Sequence, residues 1–160
     1  MKRLTMHPIG HVVSSRTEPL DDDWDSIDAH IELDPAQFGP EALEGLAEFS
    51  HAEILFVFDR VADGDIERGA RHPRGRKDWP EVGIFAQRGK NRPNRIGVTV
   101  ARILAVEGRR ICLGGLDAIN GTPVLDIKPW MSGFSPRGAI LEPAWAREIM
   151  AEYWSRARKT

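Results

Sequence analysis

A chain of 160 residues with 41% hydrophobic residues can build one hydrophobic core but not two, so one domain over residues 1–160 is expected. The formal net charge of −2 excludes a protein that coats nucleic acid through bulk positive charge. The single cysteine excludes an internal disulfide, which fits a reducing cytoplasm. No apolar run reaches the roughly 18 residues of a membrane span, and the N-terminus does not read as a signal peptide.

The pattern of apolar residues predicts more strand than helix. In chain order it predicts a strand at 29–34, a short helix at 39–51, a strand covered on both faces at 53–59 and a strand at 81–88. It then predicts two strands within 95–117 joined by a turn near Gly108, a strand with a polar face at 122–130 and an amphipathic helix at about 143–159. The fold class expected is mainly β with peripheral helices.

Charge is distributed unevenly along this chain. Residues 18–28 carry six carboxylates and no cation, whereas residues 68–95 carry nine Lys or Arg against two acidic residues and are locally +7. Because the basic stretch contains several Gly and Pro residues, its cations are expected on loops, where binding residues are often placed. Either stretch could also be solvated surface.

Spacing excludes several common chemistries. Gly83 and Gly89 are separated by five residues and Lys90 is followed by Asn91, which excludes a phosphate-binding P-loop. The glycines of "GGLDAING" lack the G-x-G-x-x-G spacing and follow strands, so a Rossmann fold is not expected. The five histidines form no H-E-x-x-H motif, so no metal site is expected.

Three separated motifs carry a family resemblance: "FSHAEILFVFD" at 49–59, "IFAQRGKNRPNRIGVTVARI" at 84–103 and "GLDAINGTPVLDIKPW" at 115–130. In order and spacing the chain resembles the TsaA/YaeB-like proteins over about residues 6–134. The resemblance implies a small single-domain β-barrel-like fold, a homodimer, and binding of S-adenosylmethionine outside the Rossmann-type methyltransferase fold. It also implies methylation of N6 of the threonylcarbamoyl-modified adenosine immediately 3′ of the tRNA anticodon.

The resemblance implies a cofactor site lined by Asp59, Arg60, Arg88, Val98, Leu116 and Asp117. The guanidinium of Arg88 can bind a carboxylate bidentately. The backbone of Ile96 and Gly97 can approach an adenosyl group, unless Gly97 only relieves packing. Where the family often has a P-R-Q-like segment, this chain has "DDDWDS". There Trp24 either stacks on adenine beside a carboxylate that favours the sulfonium, or the loop is plain surface.

Two side chains on one face of the strand at 122–130 are candidates for chemistry. Asp126 is the candidate base for the N6 proton and Lys128 a cation that orients substrate or tunes a pKa. The alternative is a surface ion pair.

The expected partner is tRNA, and the expected substrate contacts are Arg74, Arg76, Arg92 and Asn94. The last two lie in a turn that Pro93 makes rigid. The departure from R-P-N-P-I-G at Arg95 leaves the substrate open. The alternatives are a methyltransferase for another RNA or a small molecule, and a non-catalytic RNA-binding module. The expected location is the cytoplasm, with no metal and no membrane.

Overall fold

The structure is a computed structural model, and it describes residues 2–155. Its strands are β1 (Gly10–Ser14), β2 (Asp28–Leu33), β3 (His51–Val57), β4 (Ala70–Arg71), β5 (Val82–Gly83), β6 (Ile96–Glu107), β7 (Arg110–Gly114) and β8 (Pro123–Pro129). Six of them close an antiparallel barrel in the order β1-β2-β7-β6-β3-β8, while β4 and β5 form a small separate sheet. The predicted mainly β, barrel-like fold is therefore confirmed.

The barrel is filled by alternate residues of its strands, because successive side chains of a strand point to opposite faces. In β3 the inward residues Ala52, Ile54 and Phe56 are buried. The outward Leu55 and Val57 are only half-buried. The prediction that this strand is covered on both faces is wrong, because the barrel covers its inner face only.

Helical turns replace two predicted elements. The segment 39–51 forms two short 3₁₀ helices, Pro40–Leu43 and Leu46–Glu48, because Gly45 between them takes a left-handed conformation with φ of 80°. The segment 81–88 is strand only at β5 and continues as the 3₁₀ helix Ile84–Ala86. Further 3₁₀ helices are Asp63–Asp65, Pro73–Gly75, Pro93–Arg95 and Ser132–Phe134.

The C-terminal α-helix, α1 (Ala144–Met150), is shorter than the predicted helix at 143–159. The chain leaves the helix because the carbonyls of Glu152, Tyr153 and Trp154 accept hydrogen bonds from the backbone of residues 23–25. The last part of the predicted helix lies outside the described residues. Within residues 2–155, α1 and the other helices are all too short to cross a bilayer.

A β-bulge in β8 changes which face its side chains take. Against β3, the register moves from Leu55↔Asp126 to Phe56↔Val124, so Leu125 is an extra residue. Val124 consequently points into the core with Phe56, whereas Asp126 and Lys128 point outward. The simple alternation predicted for 122–130 placed Val124 and Asp126 on the same face, and the bulge makes that wrong.

Candidate functional site

One end of the barrel, called here the polar end, gathers the loops that carry the predicted cofactor residues. It consists of residues 16–28, 58–60, 88–98 and 115–120, which leave or enter the barrel at neighbouring strand ends. Arg60 ties two of them together: its Nη1 donates to the Thr17 carbonyl at 2.9 Å and its Nη2 to the Asn120 carbonyl at 3.4 Å. Its neighbour Asp59 is exposed at the same edge. The fold therefore brings together segments distant in sequence.

Arg88 lies at this end with most of its guanidinium free for a ligand. Its Nη2 donates to the carbonyl oxygen of Val98 at 2.7 Å, and the residue is exposed. Ile96 and Val98, at the start of strand β6, are half-buried beside it. A guanidinium that uses one N–H group in this way keeps its other N–H groups free to donate to a carboxylate.

The turn that the sequence predicts after Arg88 is present. Asn94 and Arg95 both have positive φ, at 65° and 53°. Arg92 Nη2 donates to the Gln87 carbonyl at 3.1 Å, and Asn91 Nδ2 donates to the Asp65 carbonyl at 3.0 Å. Arg92 is thus turned back toward the loop, whereas Asn94 is exposed.

Gly97 is explained by packing. A Cβ atom on Gly97 would lie 2.4 Å from Cε2 of Phe56, which is 1% exposed and has no room to move. The inner face of Gly97 is therefore occupied by the core, and the packing alternative stated above accounts for this glycine.

Two predicted cofactor residues have buried side chains. Trp24 is 4% exposed, and the guanidinium carbon of Arg16 lies 4.2 Å from its ring centroid. Its ring is covered by Arg16 rather than exposed, whereas most of the neighbouring loop residues are exposed or half-buried. The indole Nε1 of Trp24 is nevertheless buried without a hydrogen-bond partner in the described part of the chain. Leu116 is fully buried in the core and offers a ligand only its backbone.

Asp117 is held by two hydroxyls. Its Oδ1 accepts from Thr99 on β6, and its Oδ2 accepts from Tyr153 beyond α1. Sequence reasoning placed Tyr153 in a helical packing stripe with Trp145 and Ile149. No spacing in the sequence links residue 153 to residue 117, so only the fold reveals this contact.

Asp126 and Lys128 form an ion pair on the outer wall of the barrel, with side chains 43% and 56% exposed. The hydrogen bond from Lys128 to Asp126 raises the pKa of Lys128 above its usual range. Lys128 therefore remains a cation. The ion pair given as the alternative is present, and both of its side chains are partly exposed.

A row of outward residues connects Asp126 to the polar end. Val98 on β6 pairs with Leu55 on β3, and Leu55 pairs with Asp126 on β8. Two strand spacings separate the ends of this row, about 10 Å. Asp126 also lines a groove of about 540 Å³ with the apolar residues Ile9 and Phe38, and this groove lies toward the end of the barrel opposite the polar end.

One arginine of the basic stretch pairs with the acidic stretch, and another pairs within the basic stretch. Arg74 Nη2 lies 2.7 Å from Asp22 Oδ1, and the Arg74 side chain is only 25% exposed. Arg76 pairs with Asp78 and stacks on Trp79, with 4.0 Å between its guanidinium carbon and the ring centroid. Both arginines were predicted to contact substrate, and in the structure without a ligand both pair with carboxylates of the same chain.

A closed antiparallel barrel whose polar loops meet at one end defines a small β-barrel domain that is not of Rossmann type. The family model described as the tRNA-methyltransferase O N-terminal domain matches residues 18–135, and the chain belongs to this family. The resemblance stated from three motifs is thereby confirmed.

Similar proteins agree with this assignment. A human protein named tRNA (adenine(37)-N6)-methyltransferase is 42% identical over 102 residues, which are 64% of this chain and 23% of that protein. A Pseudomonas aeruginosa protein with the provisional name S-adenosylmethionine-dependent methyltransferase RcsF is 42% identical over 103 residues, 63% of this chain and 43% of that one. The crystal structure of TrmO from P. aeruginosa superposes with a TM-score of 0.72 at 29% identity, covering 91% of this chain and 62% of that one. The chain thus spans less than half the length of these two curated relatives.

Proposed function

We propose that this protein is an S-adenosylmethionine-dependent methyltransferase that modifies N6 of the threonylcarbamoyl-adenosine next to the tRNA anticodon. The observation that carries the proposal is the convergence of the three family motifs on the polar end and the wall beside it. The names of the human and P. aeruginosa relatives support the reaction and the cofactor.

The polar end fits S-adenosylmethionine through the groups it leaves free. Arg88 keeps guanidinium donors that fit the carboxylate of the cofactor. Asp59 presents an exposed carboxylate at the same end, which suits a cationic centre. The buried, unpartnered Nε1 of Trp24 suits an acceptor on a bound ligand. The backbone of Ile96 and Val98 completes the set that we propose to hold it.

When bound, S-adenosylmethionine supplies a methyl group activated by its sulfonium. N6 of a threonylcarbamoyl-adenosine is a poor nucleophile while it keeps its proton. Asp126 would accept that proton as the new nitrogen–carbon bond forms and the sulfur–carbon bond breaks. Lys128 orients the carboxylate of Asp126. Alignment of the methyl donor with the N6 nucleophile contributes the remaining rate acceleration.

Binding of tRNA would use cations that are not already paired. None of the ion pairs found among residues 2–155 involves Arg68, Lys77 or Lys90. Arg68 and Lys77 are exposed in the basic stretch. They are therefore better candidates for phosphate contacts than Arg74 and Arg76.

The double variant Arg68→Ala/Lys77→Ala is expected to weaken tRNA binding and to flatten the slope of log K against log salt. Two lost phosphate contacts reduce the slope by about 1.4 to 1.8. The matched double variant Arg74→Ala/Arg76→Ala removes the same charge from paired positions and should change the slope by less. A larger change in the second variant would mean that these ion pairs open on RNA, contrary to the expectation.

We also propose that the protein is a homodimer. Residues 131–143 are exposed throughout and include large apolar side chains: Met131 at 45%, Phe134 at 77%, Ile140 at 71% and Leu141 at 92% exposure. Large apolar side chains this exposed are costly to leave in water, and a second copy of the chain would cover them. Light scattering should give about twice the monomer mass of 17.9 kDa. Ile140→Ser/Leu141→Ser should shift the wild-type dimer to monomer, and a monomeric wild type at micromolar concentration would refute the proposal.

We further propose that the enzyme works in the cytoplasm and needs no metal. Among residues 2–155, no group of three or more His, Cys, Asp or Glu side chains could hold a metal ion. The activity of protein treated with a chelator, measured against untreated protein, tests the metal proposal.

The decisive experiment combines calorimetry with S-adenosylmethionine and nucleoside mass spectrometry of tRNA from a deletion strain. The proposal expects saturable cofactor binding and loss of the methyl group from threonylcarbamoyl-adenosine. Absence of cofactor binding would favour the RNA-binding module. Cofactor binding with unchanged tRNA nucleosides would favour another RNA or a small-molecule substrate.

A further inference from the structure

The C-terminal segment 144–155, called here the strap, docks on the polar end although the family match ends at residue 135. The backbone N–H groups of Trp24 and Asp25 donate to the carbonyls of Tyr153 and Trp154 at 3.2 and 2.8 Å. Nearer the start of the strap, Glu148 Oε2 accepts a hydrogen bond from Trp79 Nε1 at 2.7 Å. The strap is therefore attached to two separate loops of the domain.

The central contact of the strap is the hydroxyl of Tyr153, which donates to Asp117. Burial raises the pKa of Tyr153 well above its usual range, the carboxylate of Asp117 raises it further, and the positive charge of Arg88 opposes them. Tyr153 is therefore a neutral, permanent donor. Arg88 is anchored beside this cluster, because its Nη2 donates to the Val98 carbonyl and the next residue, Thr99, donates to Asp117. Arg88 and Asp117 nevertheless form no ion pair in the described structure.

From this geometry we infer that Tyr153 is a positioning residue that, with Thr99, holds the Asp117 carboxylate away from Arg88. A carboxylate released from its hydroxyl partner would pair with the nearest free cation. Arg88 would then be neutralised and would lose its donors for the cofactor carboxylate. The inference rests on the proposed function, since it assigns the polar end to S-adenosylmethionine.

The first test is a double-mutant cycle on cofactor affinity, measured by calorimetry. In the wild-type background, Tyr153→Phe is expected to weaken S-adenosylmethionine binding about tenfold. In the Asp117→Asn background it is expected to weaken binding less than about twofold, because no carboxylate then competes for Arg88. A purely structural role predicts the same loss in both backgrounds, and that result would overturn the inference. Thr99→Val removes the other hydroxyl from a different element and should show the same coupling, should Tyr153→Phe fold poorly.

The second test needs no cofactor, because Tyr153 is the only tyrosine of the chain. Titration of tyrosinate absorbance should give a midpoint well above the ordinary value of about 10 in folded protein, returning to about 10 in urea. With the folded-state pKa raised, the contribution to stability is complete below about pH 10 and is lost as the pH rises through the folded-state pKa. Asp117→Asn should lower the folded midpoint.

The two tests separate the inference from the proposed function. An ordinary midpoint in folded wild type would mean that the strap does not dock on Asp117, and it would overturn the inference alone. A raised midpoint in a wild type that binds no S-adenosylmethionine would refute the assignment of this end to the cofactor, and with it both proposals.

Discussion

Arg88→Ala is expected to weaken S-adenosylmethionine binding by roughly tenfold to a hundredfold while leaving the fold intact. The loss corresponds to one charge-assisted contact to the cofactor carboxylate. Stability should change little, because Arg88 is exposed and its one hydrogen bond goes to the Val98 carbonyl. Calorimetry measures the affinity, and thermal unfolding of the same samples checks the fold.

The matched control is Arg109→Ala, which removes an exposed arginine from the turn between β6 and β7 at the opposite end of the barrel. It should leave cofactor affinity unchanged. Equal affinity of Arg88→Ala and wild type would remove Arg88 from the site. Equal losses in both variants would point to a general effect of net charge.

Asp126→Asn is expected to lower the rate of methyl transfer by about 10² to 10⁴ with little change in cofactor affinity. The amide keeps the shape of the side chain but cannot accept the N6 proton, and general-base contributions are of this size. Single-turnover transfer to tRNA that carries threonylcarbamoyl-adenosine measures the chemical step. The large fall should appear there and not in the calorimetric titration.

Glu53→Gln is the control for this variant, since Glu53 sits opposite Lys128 on the same outer wall of the barrel. It removes a carboxylate from the same surface and should keep most of the rate. If Asp126→Asn reacts as fast as wild type, Asp126 and Lys128 are only an ion pair and the base lies elsewhere.

Much of the candidate site follows from local sequence. A turn after Arg88 is expected from Asn91 to Asn94, and the structure contains one with positive φ at Asn94. The strands at 29–34 and 122–130 follow from alternation, and the β6–β7 turn follows from Gly108, which has φ of 60°. These features depend on the conformational preferences of neighbouring residues, which a sequence carries directly.

The pairing of distant groups was not predictable in this way. Two runs of opposite charge read separately as an acidic loop and a basic site, yet Asp22 and Arg74 face each other across 52 positions. Trp24 reads as an exposed loop aromatic, yet Arg16 covers its ring. In both cases the chain itself supplies the partner that the sequence pattern assigned to a ligand.

By itself, the sequence determined the family, the β class of the fold and the residues from which a site could be made. The tertiary structure alone decided how those residues are used: the bulge at Leu125 separates Asp126 from Val124, and Phe56 fills the space beside Gly97. It also brought Tyr153 to Asp117. The physical reason is the sequence distance over which each effect acts. Turn and strand propensities act between neighbouring residues, whereas register, burial and charge pairing depend on which distant segments the closure of the barrel brings together.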